Sequence, residues 1–181
     1  INEKNNNSSF SEKIKSLTHK NINTIDELIR ILEIDLHEYM TEKKPYMNSS
    51  DVEDLIKKGF TIGAHSIDHP DYRLLSLDEQ LKQTKDSINF ITEKFNLNYK
   101  TFAFPFTDDK VSRKFFETVF DPSHPVADST FGCAGIKKDI HKNHFQRLPV
   151  ETTQAEAERI VKFEYMYYIL KVPFGKNRIR R

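Results

Sequence analysis

Phe60-Thr61-Ile62-Gly63-Ala64-His65-Ser66-Ile67-Asp68-His69-Pro70 is the stretch on which the reading of this chain turns. Its first half is a short apolar run, which predicts a buried strand over Phe60–Ala64. The strand ends in two histidines four residues apart, and Pro70 then forces the chain to leave in an extended or turning path. Two imidazoles at a strand end can converge on one divalent metal, for which neutral imidazole is a common ligand. A catalytic zinc ordinarily takes three protein ligands and one water, so the pair is half of a site. Ser66 or Asp68 could hold one ring in the right tautomer. A His-x-x-x-His spacing alone is also compatible with two surface loop histidines.

Outward from this stretch the pattern is alternating. Upstream, Asn23 or Thr24 caps a predicted helix whose apolar positions are Ile25, Leu28, Ile29, Leu32 and Leu36. Ser49 or Ser50 caps a second, with Val52, Leu55 and Ile56 on one face and Gly59 at the C-terminal cap. Downstream, Ser76 opens a long helix with Leu77, Leu81, Ile88, Ile91 and Phe95 as its buried stripe. Thr101–Phe106 predicts a strand, Ser112–Phe120 a helix, Ser129–Ala134 and Phe145–Val150 strands, and 154–171 a final helix. Phe163, Tyr165, Tyr167 and Tyr168 are expected to pack in the core. Residues 1–22 read as loop or weak helix. The alternation predicts an α/β fold with a parallel sheet, an open sheet or an incomplete barrel, whose functional groups collect at the carboxyl ends of the strands.

The composition narrows the function classes. In 181 residues, Lys+Arg 28 against Asp+Glu 27 leaves a net charge of +1, so no global charge argues for nucleic acid. No apolar run is long enough to span a bilayer. The single Cys133 excludes an internal disulfide. The length suits one domain over 1–181, with 1–22 and 172–181 peripheral. Arg178, Arg180 and Arg181 read as a solvated tail, His141 and His144 as surface loop histidines, and Asp108-Asp109 as solvated turn residues. Composition leaves the compartment open.

The motif Ile62-Gly63-Ala64-His65-Ser66-Ile67-Asp68-His69-Pro70 resembles the second motif of the polysaccharide deacetylase family, His-[Ser/Thr]-x-x-His. Phe102-Ala103-Phe104-Pro105-Phe106 resembles its third motif, and the likeness is close over residues 48–120 and looser elsewhere. The resemblance implies a distorted, incomplete (β/α) barrel. It implies a divalent metal, most often zinc, held by two His and one Asp, and hydrolytic removal of acetyl groups from a polysaccharide or cell-wall glycan. It assigns His65 and His69 as metal ligands and the Phe106 backbone N–H as an oxyanion donor. Arg147 is a candidate contact to substrate or to a catalytic carboxylate, or a structural arginine.

There are departures. The family's first motif, Thr-Phe-Asp-Asp-Gly, which carries the third ligand and the base, does not occur in these residues. Ala103 stands where the third motif has Arg, and Leu-x-His is not seen after Phe145. The expectation is the carboxyl-terminal part of a deacetylase, Ile1 following a segment that carries the missing Asp, and impaired by itself. The alternative is a non-catalytic module of the same fold that binds glycan or protein.

Overall fold

The computed structural model describes residues 10–15, 17, 21–150 and 154–181. The chain forms two compact units, Ile1–Val52 and Glu53–Arg181. In the first unit, α1 (Phe10–Lys15), α2 (Ile22–Ile31) and α3 (Leu36–Lys43) are short helices with no buried residue. The single helix expected across residues 23–36 is broken. Glu33 adopts a left-handed φ of 50°, and the Asp35 carboxylate accepts from Glu38 N–H at 2.9 Å to cap a new helix. Ile25, Leu28, Ile29 and Leu32, with Ile14, Leu17 and Ile34, line a small apolar cavity of about 230 Å³. Most of residues 1–22 lies outside the described residues.

Helix α4 (Ser49–Lys57) leads to the second unit. Its end is a double-bonded left-handed cap. Phe60 N–H donates to Leu55 O at 3.0 Å and Gly59 N–H to Ile56 O at 2.9 Å. Gly59 takes φ 87°, which explains a glycine there. Helix α5 (Leu77–Lys94) starts with a reciprocal capping box between Ser76 and Glu79, which satisfies two of its free terminal donors. Strand β1 (Thr101–Ala103), helix α6 (Arg113–Val119), strand β2 (Ser129–Gly132) and strand β3 (His144–Gln146) follow, then α7 (Ala157–Lys171).

The three strands form one parallel sheet in the order β1-β2-β3, pairing Phe102 with Thr130 and Phe131 with Phe145. The α/β class expected from the alternation is therefore present. The strand expected over Phe60–Ala64 shrinks to one parallel bridge between Ala64 and Phe102. Ala64 N–H donates to Thr101 O at 2.9 Å and Ala103 N–H to Ala64 O at 2.8 Å. Two residues earlier, Ile62 N–H turns to the Tyr99 hydroxyl instead of the ladder, which ends the pairing. The downstream strands are shorter than expected for a related reason. Just past β2, two successive N–H groups go to side chains, Cys133 to Asp108 Oδ1 at 3.1 Å and Ala134 to Gln146 Oε1 at 2.7 Å.

The core is aromatic. Tyr72, Ile88, Phe102, Phe104, Phe115, Phe116 and Val119 are fully buried between the sheet and α5 and α6, with Leu77, Leu81 and Ile91 packed against them. Tyr72 meets both Phe104 and Phe115 edge to face, an arrangement that adds to simple area burial. Helix α7 corrects another expectation. Phe163, Tyr165 and Tyr167 are more than half exposed and the helix buries no residue. Apolar and charged residues are spread around α7 without a single stripe, so no one face can seat against the sheet. Its tie to the body includes Glu164, which accepts from Ile136 N–H at 3.2 Å.

Candidate active site

The histidine pair stands where the chain leaves the sheet. His65 directly follows the Ala64 bridge, and its Nδ1–H donates to Ala103 O at 2.8 Å. That bond fixes the ring and leaves the Nε2 lone pair outward. Four residues on, the His69 Nε2 lies 3.1 Å from His65 Nε2. Two nitrogens bound to one tetrahedral zinc at the usual bond length would be roughly 3.3 Å apart, so the spacing fits shared ligation. Partial desolvation, opposed by the Ala103 bond and aided by the charges of His69 and Arg147, lowers the His65 pKa. A lowered pKa favours the neutral ring, the form that ligates.

The loop between them is strained and pinned. Ser66 and His69 have left-handed φ values of 71° and 52°. Ser66 Oγ accepts from His69 N–H at 3.0 Å, while Gln83 on α5 binds both Ile67 N–H and the Asp68 carboxylate. Neither Ser66 nor Asp68 therefore holds an imidazole tautomer; the Ala103 carbonyl does so for His65. Among the described residues, no third His, Cys, Asp or Glu ligand atom joins the two rings.

Phe106 closes the other side. Its ring packs edge to face on His69 with centroids 4.7 Å apart. Its φ of 53° places the peptide in a conformation rare for a non-glycine residue. Arg147 reaches back across the strand ends. Its Nε donates to Gly132 O at 3.1 Å, and Nη2 to Phe104 O and Cys133 Sγ, each at 3.0 Å. Arg147, His65, Thr61, Ala103 and Phe131 line a cavity of about 360 Å³. The structure thus brings His65, His69 and Phe106 together, and places Arg147 on the same cavity as His65.

A second polar cluster was not foreseen. Asp108, read from sequence as a solvated turn residue, is buried, and so is His144. The Asp108 carboxylate accepts from Cys133 N–H (3.1 Å), His144 Nε2 (3.0 Å) and Gln146 Nε2 (2.9 Å), and pairs with Arg181. Arg181 also bonds the buried Asp139 carboxylate at 2.7 Å and lies over the Phe116 ring. The expected solvated tail therefore ends in a buried guanidinium. Burial alone would raise the Asp108 pKa; the bonds from His144, Gln146, Arg181 and Cys133 reverse that and hold it far below the usual carboxylate range. Asp108, Asp139 and His144 have ligand atoms close enough for a metal, but the Arg181 guanidinium already neutralises this seat. His141 is half-buried rather than a surface residue, stacked on Phe116 at 4.9 Å, and burial lowers its pKa. The sequence signal for this cluster was faint: Asp108 and Arg181 lie far along the chain from the segment that carries Asp139, His141 and His144.

Neither a curated protein nor a solved structure matches the chain. The family profile for polysaccharide deacetylases matches residues 13–116, a span that contains His65, His69, Phe106 and Asp108. Among the described residues no helix is long and apolar enough to cross a membrane. The matched span covers more than half of the 181 residues and includes both recognised motifs, so this chain belongs to the polysaccharide deacetylase family.

Proposed function

We propose that the chain serves in a metal-dependent hydrolase that removes acetyl groups from a polysaccharide or cell-wall glycan. The observation that carries this reading is the 3.1 Å approach of the two Nε2 atoms, with the far side of His65 locked to Ala103 O. His65 and His69 would hold the cation, and imidazole donors suit zinc. A bound divalent cation supplies Lewis-acid polarisation of the acyl carbonyl and acidifies water. The protein's own groups do the rest. The Phe106 N–H has no described acceptor and is free to donate to an oxygen that gains charge, a contribution independent of its side chain. The His69–Phe106 ring contact ties that donor to the metal side of the site. Arg147 acts by position: it fixes the Phe104 carbonyl two residues before Phe106 and borders the cavity that would receive the sugar. We take the three-stranded parallel sheet, with the Ala64 bridge beside β1, as part of an incomplete barrel of the family type.

The absence of a third ligand among the described residues favours a second reading, a glycan-binding module that keeps the fold without turnover. Calorimetric zinc titration and acetate release from N-acetylated oligosaccharide separate the two. The hydrolase reading expects zinc binding that His65→Ala weakens at least tenfold, and acetate release with zinc or cobalt once a carboxylate ligand is supplied. Tight binding untouched by His65→Ala would sink it.

A further inference from the structure

A cavity of about 690 Å³ in the second unit lies away from the histidine pair. It opens beside the loop that follows Phe106, lined by Thr107–Ser112 and by the tail segment Phe174–Arg181. Its wall is strongly cationic. Lys110, Lys137, Lys176, Arg178 and Arg180 border it, against the single free acid Asp109, because Asp108 and Arg181 neutralise each other within the buried cluster. The chain as a whole is almost neutral, so this concentration of one sign is local. It is also held in shape. Ile179 N–H donates to Lys138 O at 2.9 Å and Lys138 N–H to Asn177 O at 3.0 Å, setting the Arg178 segment beside Lys137. The Arg181 anchor fixes the far end. None of the five cations forms an ion pair among the described residues, and Lys110 acts on Asp71 only through longer-range charge. Like charges held together in a concave wall repel one another, and an anion relieves that repulsion.

We propose that this cavity seats an anionic group, a carboxylate or phosphate, carried on the glycan whose acyl group faces His65 and His69. Thr107, at the cavity edge, is the next residue after Phe106, whose ring touches His69, so one extended ligand can span both. The proposal rests on the deacetylase reading for the glycan, but its binding measurement needs neither metal nor turnover. The guanidinium groups of Arg178 and Arg180 suit the planar, bidentate acceptors of either anion.

The test is binding of the full chain to three probes at low ionic strength: a galacturonate oligomer, a neutral N-acetylglucosamine oligomer of equal length, and inorganic phosphate. The expected result is that the galacturonate oligomer binds at least tenfold tighter than the other two and weakens steeply with salt. The double variant Lys137→Glu, Arg178→Glu should abolish that preference while leaving neutral-oligomer and zinc binding unchanged. Lys57→Glu, on α4, serves as the charge control, with circular dichroism to confirm folding. Equal affinity for the charged and neutral oligomers, or a preference that survives the double variant, overturns the proposal. Phosphate binding as tight as the charged oligomer makes the site one for a free anion and overturns the glycan-borne part. Loss of zinc binding in His65→Ala with the anion preference intact would bear only on the hydrolase reading, so the two failures are distinguishable.

Discussion

His65 shows how a single hydrogen bond can decide a side chain's chemistry. Because its Nδ1–H is committed to Ala103 O, Nε2 stays a lone-pair donor, so a substitution of similar volume that loses the imidazole should uncouple packing from ligation. His65→Gln is expected to keep the fold and lower zinc affinity by one to two orders of magnitude, read by calorimetry beside a thermal melt. Asp108 is the opposite case, a residue whose chemistry is structural. Asp108→Asn leaves Arg181 and His144 without their shared anion in a buried setting, and should cost about 3 kcal/mol in chemical denaturation. The pH signs follow from the two shifts. A depressed carboxylate pKa gives stabilisation that is complete above the unfolded value near 4 and is lost as pH falls below it. His141, whose pKa burial lowers, stays neutral in the fold and adds a loss that begins below about 6.5. Stability should therefore decline in two acid stages, and Asp108→Asn should flatten only the lower one.

At the scale of elements, glycine and capping residues carry the argument. Gly132 in β2 has no room for a side chain: an added Cβ would lie 2.5 Å from both Asp108 Cγ and Gln146 Oε1. Gly132→Ala should cost about 3 kcal/mol, measured as a shift in denaturation midpoint, since both obstacles belong to a bonded cluster. Ser76→Ala, which removes half of the capping box of α5, should cost about 1 kcal/mol. These elements also mark what the sequence makes legible. Ser76, Ser112 and Gly59 announce helix ends because capping is local chemistry, and the structure places caps at all three. The histidine pair was visible for the same reason, its partners lying within four residues. The Phe60–Ala64 strand is shorter than its sequence suggests because the Tyr99 hydroxyl that captures Ile62 N–H is 37 residues away. Helix α7 departs from its expected burial because aromatic content alone does not bury a helix, and apolar residues without a stripe give no packing face.

For the whole molecule, the polar cluster does what hydrophobic contacts alone would leave undone. It ties the loop after β1, the loop before β3, β3 itself and the tail through two carboxylates and one guanidinium. None of this was readable in the sequence, where Asp108 looks like a turn residue and Arg181 like a solvated end. Long-range pairing leaves no local signature. Deleting residues 178–181 should expose the Asp108 and Asp139 carboxylates without a cation, and limited proteolysis should then cut the loop at 107–112 that the intact protein protects.

That same guanidinium sets an order in time. Arg181 bonds Asp108 across 73 residues of sequence. A ribosome adding about 5–20 residues each second makes Asp108 several seconds before its counter-ion exists. Until then a carboxylate destined for burial remains hydrated, and the segment after β1 stays open. The aromatic core around Phe102 and Phe104 can assemble during synthesis; the loop beside the histidine pair must wait for the tail.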